Sequence, residues 1–409
     1  MMAHTSRSAA ALNSEETAKT AQKKEEAREA LRARFHKEFY YDYSLVFIMI
    51  FMLAFGLVML FSTSSYQAGI DFDGDTTYYL KRQLRAVIAG IAVMMAVSYI
   101  PYRFYRNKMV MYLAYAISFF SVFIVLTPLG YSANGARRWF RIAGVSVQPA
   151  EIAKLGMIVF LAVFINRLGK LAADKKGFWL ILLTPLPVSF VVYQITDNLS
   201  SAIIILGIAL FMLFIAIPDY KRFILIGAAV SAIAALAVFV AVKTRDNPMN
   251  YRFRRILIWL DPEAYASDRG FQTLQSLYAI GSGGIFGKGL GQSMQKRFIP
   301  EAQNDMIFSI ICEELGLFGA IAVILMFVIL LLRLMIIATN AADRFGALLV
   351  VGVIGHISIQ VILNLAVVTN TMPNTGITLP FISYGGSAVF FQLIEIGICM
   401  SVARNIRVE

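Results

Sequence analysis

The chain has 409 residues, of which 58% are hydrophobic and only 15% are charged. Soluble domains carry roughly 25% charged residues, so the composition excludes an ordinary soluble protein. Apolar runs of about 20 residues recur, each long enough to cross a hydrocarbon core of about 30 Å. These runs predict an all-α polytopic membrane protein. The net charge of +12 does not indicate nucleic acid as a partner, because Lys and Arg gather in the cytoplasmic loops of membrane proteins.

Residues 1–43 form a charged tail that we expect to be cytoplasmic. Its mixed charges and helix formers favour either a position on the membrane surface or partial disorder, and a docking site for a cytoplasmic partner is an alternative. The first apolar run begins near Ser44 without a cleavage site, so it predicts an uncleaved anchor. The two cysteines, Cys312 and Cys399, lie in apolar runs and are expected to be small core residues without a disulfide.

Ten apolar stretches predict ten transmembrane helices within a membrane domain of residues 44–403. A large extracytoplasmic loop, residues 244–303, separates the seventh helix from the eighth, and residues 404–409 form a cytoplasmic C-terminus. The predicted spans are 45–65, 83–101, 109–129, 149–167, 178–196, 199–217, 222–243, 304–333, 345–368 and 380–403.

Basic residues set the predicted orientation. They flank the loops that follow even-numbered spans, which the positive-inside rule assigns to the cytoplasm. Both termini are then cytoplasmic, and the alternate loops lie outside. The basic residues on the predicted cytoplasmic side are Arg103, Arg106, Lys108, Arg167, Lys170, Lys175, Lys176, Lys221, Arg222, Arg333, Arg344, Arg404 and Arg407.

Two outer loops are basic against this rule. Arg137 and Arg138 lie in the short loop after the third span, and Lys288 lies in the long loop. Long loops cross the membrane whatever their charge, so permissive topology is one interpretation. The other is that these loops bind an anionic ligand, since guanidinium groups suit phosphate. The glycine-rich run around Lys288 does not match the Walker motif. Ser282 stands where that motif needs Gly, and Gly289 stands where it needs Ser or Thr, which argues against nucleotide binding.

Ionisable residues inside or at the ends of spans are the candidates for chemistry. Asp305 stands where the long loop meets the eighth span, and an acid there is commonly a helix cap. Glu151 and Lys154, spaced i,i+3, fit either a structural ion pair or the wall of a polar cavity. Glu313 and Glu314 must face protein or water. Together with Asn198, these groups predict an outward-facing polar cavity, although proton or ion transport would use them equally well.

Four motifs resemble those of the SEDS family (shape, elongation, division and sporulation), in that family's order and over about residues 44–403. The family also has ten spans. The motifs are Asn134-Gly-Ala-Arg-Arg-Trp139, Gln148-Pro-Ala-Glu-Ile-Ala-Lys154, Pro300-Glu-Ala-Gln-Asn-Asp-Met-Ile-Phe308 and Thr375-Gly-Ile-Thr-Leu-Pro-Phe-Ile-Ser-Tyr-Gly-Gly-Ser387.

The resemblance implies a peptidoglycan glycosyltransferase that polymerises lipid II into glycan strands at the outer face of a bacterial cytoplasmic membrane. It implies a class B penicillin-binding protein (FtsI-like) and other division membrane proteins as partners. The sequence establishes no cofactor, and a divalent cation, Mg²⁺ or Mn²⁺, is an alternative. The family's essential acid matches Asp305, as a general base or a cation anchor. The substrate-binding candidates are Arg137, Arg138, Glu151, Lys154, Asn198, Lys288, Glu301, Gln303 and Ser383.

The sequence departs from the family pattern at two places. Gln303-Asn304 stands where members often have His-Thr, and Asn198-Leu-Ser-Ser201 stands where elongation-type members often have Asp-Leu-Gly-Thr. The second departure favours the division branch, FtsW, over the elongation branch, RodA, and a sporulation type like SpoVE stays an alternative. Two other functions stay open: a lipid II transporter that uses the same basic cavity, and a division scaffold without catalysis.

Overall fold

The computed structural model describes residues 42–133, 136–142, 144–244, 251–267 and 270–406. Nearly all of the predicted tail, and the last three residues of the predicted C-terminus, lie outside these ranges. The same holds for Asn134 in the first motif and for Arg407 among the residues that set the orientation.

Helices dominate the described chain. They are α1 (Tyr43–Asp71), α2 (Tyr78–Tyr99), α3 (Lys108–Phe120), α4 (Pro149–Leu168), α5 (Lys175–Leu183), α6 (Leu186–Thr196), α7 (Leu199–Ala216), α8 (Tyr220–Lys243), α9 (Tyr251–Leu260), α10 (Gly270–Gly283), α11 (Ile307–Thr339), α12 (Arg344–Val368) and α13 (Gly386–Ala403). Short 3₁₀ turns cover Tyr102–Arg106, Ser121–Leu126, Gly169–Ala173, Glu263–Tyr265 and Gln295–Arg297.

Nine helical segments of the described chain are long and apolar enough to cross a membrane. They confirm a polytopic helical membrane protein and correspond to nine of the ten predicted spans. The remaining one, predicted at 83–101, coincides with α2. This helix has 22 residues but carries Lys81, Arg82 and Arg85 in its first turns, which makes it less apolar than the others. The count of ten therefore stays a prediction.

The helix α2 is nonetheless packed into the bundle. A Cβ added to Gly90 would meet the side chain of Leu393 at 2.5 Å, and one added to Gly397 would meet the carbonyl oxygen of Met94 at 2.6 Å. Glycines at both points let the backbones of α2 and α13 approach closely, as small residues do between membrane helices. This close packing compensates for the modest hydropathy of α2.

Local sequence signals start and interrupt the helices. The side chains of Asp42, Asn107 and Asn198 accept hydrogen bonds from backbone amides in the first turns of α1, α3 and α7. Pro185 separates α5 from α6, which together form one span. Within α11, Gly316 has φ 67° and ψ −165°, a conformation open to glycine, so the eighth span is two helical segments joined at a kink.

A small antiparallel sheet follows α3 in the loop that was predicted to be outside. Its strands are β1 (Gly130–Ala133), β2 (Ala136–Ile142) and β3 (Val145–Val147), in the order β1-β2-β3. Tyr131 pairs with Trp139, and Phe140 pairs with Val147. The prediction of a purely helical chain did not include this sheet, because its strands are too short to show a clear alternation of polar and apolar residues.

The long loop predicted at 244–303 is partly helical. It contains α9 and α10, and its glycine-rich end pairs with α11. The amides of Lys288 and Gly289 donate to the carbonyls of Glu313 and Glu314, and the amide of Leu317 donates to Gly284, each at 2.9 Å. These bonds satisfy backbone groups that the kink at Gly316 releases. The backbones almost touch, since a Cβ on Gly287 would lie 2.2 Å from the Glu314 carbonyl oxygen.

Residues predicted to share one side of the membrane also contact one another. Asp42 at the start of α1 pairs with Arg333 at 2.9 Å, and Asp343 lies within 4 Å of Arg103 and Arg106. All five were predicted to lie at or near the cytoplasmic surface. At the other end of the bundle, the predicted outer segments contact one another around Asp305. These two groups agree with the predicted alternation of the spans.

Candidate functional site

Asp305 lies just before α11, at the predicted outer end of the bundle. Its side chain is partly exposed. The N-cap position of α11 is occupied by Met306, and no side chain caps the helix. The interpretation of Asp305 as an ordinary N-cap therefore fails, which leaves a carboxylate at a helix end without a capping role.

The backbone of Asp305 is fixed from a neighbouring helix. Nδ2 of Asn364, on α12, donates to the carbonyl of Asp305 at 2.8 Å and to the carbonyl of Ile377 at 2.7 Å. Gly376, with φ +68°, brings the backbone of the next loop close to the carboxyl, because a Cβ at this glycine would lie 3.9 Å from Oδ2 of Asp305. Asp305, in the segment before α11, thus faces the loop before α13.

Burial raises the pKa of the Asp305 carboxyl from 3.8 to about 6. The nearby carboxylate of Glu301 raises this pKa further, whereas the Asp305 backbone amide and the Arg255 guanidinium lower it. A helix N-terminus favours an ionised carboxylate, but the desolvation of Asp305 outweighs that effect. The resulting pKa lies close to the neutral range, where a carboxylate is both mostly ionised and able to accept a proton.

The loop of residues 369–385 is tied to several elements around Asp305. Oγ of Ser200 donates to the carbonyl of Thr375 at 2.6 Å, and Nε2 of Gln360 donates to the carbonyl of Thr378 at 3.0 Å. The amide of Tyr384 donates to the carbonyl of Gln303 at 2.9 Å. The loop therefore brings its own Ser383 near Gln303, two residues before Asp305, and both are predicted substrate-binding residues. Both of their side chains are buried, at 2% exposure.

Glu301, four residues before Asp305, is exposed. Its backbone has φ 53°, and its carboxylate accepts a hydrogen bond from Nδ2 of Asn304. Because its charge raises the pKa of Asp305, the two carboxylates are electrostatically linked. Of the predicted substrate-binding residues, Glu301 is the one that the structure both exposes and couples to Asp305.

Glu151 and Lys154 form a buried ion pair at the start of α4. Nζ of Lys154 lies 2.8 Å from Oε2 of Glu151, and both side chains are at least 94% buried. The pairing confirms the expected shared helix face and explains how Lys154 is accommodated inside the span. This geometry fits the structural interpretation, and a wall of a polar cavity remains a prediction.

Three other predicted ligands for an anion or substrate hold the protein backbone. Arg137 donates to the carbonyls of Thr127 and Gly130, and Arg138 donates to the carbonyls of Thr196 and Asp197 at the end of α6. Asn198 caps α7. The arginines therefore fasten the β-sheet to its surroundings. Arg137 keeps an exposed side chain that an anion can still reach.

Lys288 is paired with an acid of α11. Its Nζ lies 2.7 Å from Oε1 of the fully buried Glu313 and 2.9 Å from Oγ of Ser282. In the same way, Nζ of Lys296 lies 3.3 Å from Oε1 of Glu314, which also accepts a hydrogen bond from Ser62 at 2.5 Å. The two acids and two lysines, hereafter the Glu–Lys clasp, join the glycine-rich segment to α11. None of the four is hydrogen-bonded to Asp305 within the described chain.

A divalent cation was an alternative in the prediction. Over the described ranges, no group of three or more His, Cys, Asp and Glu side chains is arranged to hold a metal ion. The cysteines agree with their prediction, as Cys312 and Cys399 are both buried and free.

The helix α12 carries a polar stripe that was not predicted. His356, Gln360 and Asn364 recur every four residues, are nearly or fully buried, and therefore share one face of the helix. His356 pairs with Glu395 of α13 at 2.8 Å, while Gln360 and Asn364 hold the loop before α13. The i, i+4, i+8 spacing of polar residues in an apolar span was the signal that could have revealed them.

The family of the chain follows from comparison with known proteins. A family described as cell cycle protein, comprising FtsW, RodA and SpoVE, matches residues 43–408. The chain belongs to this family. It is 38% identical to stage V sporulation protein E of Bacillus subtilis, over 87% of this chain and 94% of that protein. It is also 38% identical to a probable peptidoglycan glycosyltransferase FtsW of Geobacter metallireducens, over 86% and 92% of the two chains.

Solved structures of family members share the fold. One chain, from a study entitled "Structural coordination of polymerization and crosslinking by a peptidoglycan synthase complex", matches with a TM-score of 0.72 and 28% identity over 90% of this chain and 98% of its own. The rod shape determining protein RodA of Thermus thermophilus matches with a TM-score of 0.61 and 26% identity over 91% and 99%. The equal identity to a division and a sporulation relative leaves the branch within the family a prediction.

Proposed function

We propose that this chain is a peptidoglycan glycosyltransferase that polymerises lipid II at the outer face of the cytoplasmic membrane during septal wall synthesis. The names of its relatives support the reaction class. The observation that carries the site is the Asp305 carboxyl, which is partly exposed, does not cap α11, and has a pKa of about 6. A carboxylate with these properties suits a general base at neutral pH.

In the proposed reaction, two lipid-linked saccharides meet beside Asp305. Its carboxylate accepts the proton of the acceptor sugar's 4-hydroxyl as that oxygen attacks the anomeric carbon of the donor. The bond from the anomeric carbon to the diphosphate oxygen breaks, and undecaprenyl diphosphate leaves with the bonding electrons. A positioned base contributes roughly 10²–10⁴-fold to such a step. No second acid is needed to protonate the leaving group, because a diphosphate is stable as an anion.

Negative charge grows on the departing diphosphate, so cations near it stabilise the transition state more than the ground state. Of the predicted cations, Arg137 has an exposed guanidinium, whereas Lys288 is already paired with Glu313, so Arg137 is the candidate for this role. A divalent cation carried by the diphosphate itself would serve the same purpose, and Asp305 with Glu301 would then face it.

The proposed partner is a class B penicillin-binding protein that supplies transpeptidation, with other division membrane proteins around it. This proposal rests on the similarity to a chain from a peptidoglycan synthase complex and on the division relatives. The proposed orientation places both termini in the cytoplasm and Asp305 outside, in agreement with the basic loops at the opposite end of the bundle.

Labelled lipid II tests the proposal directly. The purified protein, with its class B partner, is incubated with lipid II, and the glycan products are separated on a gel. We expect polymer from the wild type, none from Asp305→Asn, and normal polymer from Asp73→Asn, a control that neutralises an exposed acid in another predicted outer loop. Polymer from Asp305→Asn would exclude Asp305 as the base. An inactive wild type, folded and bound to its partner, would favour transport or a scaffold.

A further inference from the structure

Asn364 is the one side chain of the described chain that is hydrogen-bonded to both Asp305 and the loop opposite it. A single nitrogen, Nδ2, donates to the carbonyls of Asp305 and Ile377 at 2.8 and 2.7 Å. Two carbonyl acceptors fix the orientation of the amide, since its oxygen could not occupy this place. The side chain is fully buried, so it does not touch a substrate in solution.

The two carbonyls belong to the segments on either side of the Asp305 carboxyl. One is the carbonyl of Asp305 itself. The other belongs to Ile377, the residue after Gly376, and a Cβ added to Gly376 would lie 3.9 Å from Oδ2 of Asp305. By bonding both carbonyls, Asn364 holds the two segments together, which fixes the position of the carboxylate and the protein packed over it. Packing of this kind is what desolvates a carboxylate.

The other polar residues of the α12 stripe are also anchored to neighbouring elements. Gln360, one turn below Asn364, holds the carbonyl of Thr378, and His356, one turn further, is paired with Glu395. Each polar residue of the stripe is thus anchored, so α12 presents Asn364 from a fixed scaffold. The Oδ1 atom of Asn364 is buried without a protein hydrogen bond among the described residues, a destabilising feature that a residue selected only for packing would avoid.

We propose that Asn364 is a positioning residue for the glycosyl transfer, which fixes Asp305 against the Gly376 backbone and keeps protein packed over its carboxylate. This inference rests on the proposed role of Asp305 as the base. It assigns to α12, a helix with no residue in the predicted site, control over the reactive group. Loss of the two hydrogen bonds would let the loop move away and water reach the carboxylate.

The test is the pH dependence of lipid II polymerisation by the full-length protein with its class B partner. Asn364→Leu removes the two hydrogen bonds while keeping the branching and the number of side-chain heavy atoms, although its methyl groups are bulkier than the amide. We expect the rate at pH 7 to fall roughly ten- to a hundredfold, the loss that misplaced catalytic groups produce. We also expect the midpoint of the acid limb of kcat/KM to move down from about 6 towards the ordinary carboxyl value of 3.8.

Gln392→Leu is the matched control. Gln392 is another buried amide that holds the same loop, but its oxygen accepts a hydrogen bond from the amide of Phe381, five residues beyond Gly376. Its loss is expected to lower stability without moving the midpoint of the acid limb. A change of rate in Asn364→Leu with an unmoved midpoint would show a merely structural role and overturn the inference.

Two further variants keep the outcome unambiguous. If Asn364→Leu does not fold, as judged by its melting temperature and its binding to the partner, Asn364→Ala removes the same bonds and leaves space for water. Full activity of Asp305→Asn would defeat the proposed base itself, whichever result Asn364 gives. Inactive Asp305→Asn together with a wild-type acid limb in the Asn364 variants would defeat only the positioning role.

Discussion

At the scale of single residues, the charge on Asp305 is expected to cost stability. Its pKa is raised from 3.8 in the unfolded chain to about 6 in the fold, so the ionised form is disfavoured by at most about 3 kcal/mol, at 1.36 kcal/mol per unit. The cost applies above pH 6 and disappears as the pH falls from 6 to 3.8, where wild type becomes protonated.

Asp305→Asn should therefore be inactive yet more stable than wild type at pH 7.5, with the difference shrinking towards pH 4. Melting temperatures of the two proteins in one detergent, measured across this pH range, would check it. The control is Asp73→Asn, which changes an exposed acid and should melt like wild type at every pH. A variant less stable than wild type at pH 7.5 would mean that the carboxylate makes a stabilising contact instead.

The same pKa predicts the pH dependence of activity. A base must be ionised, so polymerisation should be nearly maximal above pH 7 and about tenfold lower at pH 5, one unit below the midpoint. Because Glu301 raises the pKa of Asp305, Glu301→Gln should move the midpoint to lower pH. Initial rates of polymerisation between pH 4.5 and 8 would show both effects. An acid limb that stays in place in Glu301→Gln would exclude a charge interaction between the two residues.

At the scale of elements, the Glu–Lys clasp is expected to hold the kinked helix α11. Lys296 is 8% exposed and its partner Glu314 is fully buried, so Lys296→Met leaves a buried carboxylate without its cation. Removing one member of such a pair costs about 3–5 kcal/mol. Lys81→Met is the matched control, because Lys81 pairs with Asp75 at the surface, where an ion pair contributes about 0–1 kcal/mol.

Thermal unfolding of the two lysine variants would compare these costs. We expect a clearly lower melting temperature for Lys296→Met and little change for Lys81→Met. Adding Glu314→Gln to Lys296→Met should recover part of the loss, since the unpaired charge is then gone. Equal melting temperatures for the two single variants would show that the clasp does not stabilise α11.

The sequence predicted the elements better than the contacts between them. Apolar runs depend on local composition alone, and each predicted span has a helix in the structure. The pairing of Lys288 with Glu313 was not foreseen, and Lys288 was instead expected to face a phosphate. That pair depends on how the segment after α10 folds back on α11 at Gly316, which is a tertiary event. The only sequence signal of the kink was a glycine inside an apolar run.

For the candidate site, the sequence predicted the main residues but not their surroundings. Asp305 and the loop with Ser383 were placed by motifs, and the structure brings them together. The raised pKa of Asp305 could not be predicted, since it depends on the number of atoms packed around the carboxyl. Nor was the role of Asn364 visible, because its partners are backbone carbonyls of residues 59 and 13 positions away.

At the scale of the whole molecule, the orientation in the membrane decides whether Asp305 can meet a substrate outside the cell. The fold itself is compatible with either direction, and the basic loops favour cytoplasmic termini. Two exposed residues at opposite ends of the bundle separate the alternatives: Asp73, in the turn between α1 and α2, and Asn340, in the turn between α11 and α12. The native cysteines are buried, so they should not react in the folded protein.

One cysteine added at either position, with the two native cysteines kept, should therefore report the orientation in bacterial spheroplasts. We expect Asp73→Cys to react with a membrane-impermeant thiol reagent at once, and Asn340→Cys to react only after the membrane is opened. Wild type, with Cys312 and Cys399 alone, sets the background. The opposite pattern would put Asp305 on the cytoplasmic side, where polymerised glycan could not form, and would exclude the proposed function even if the purified protein bound lipid II.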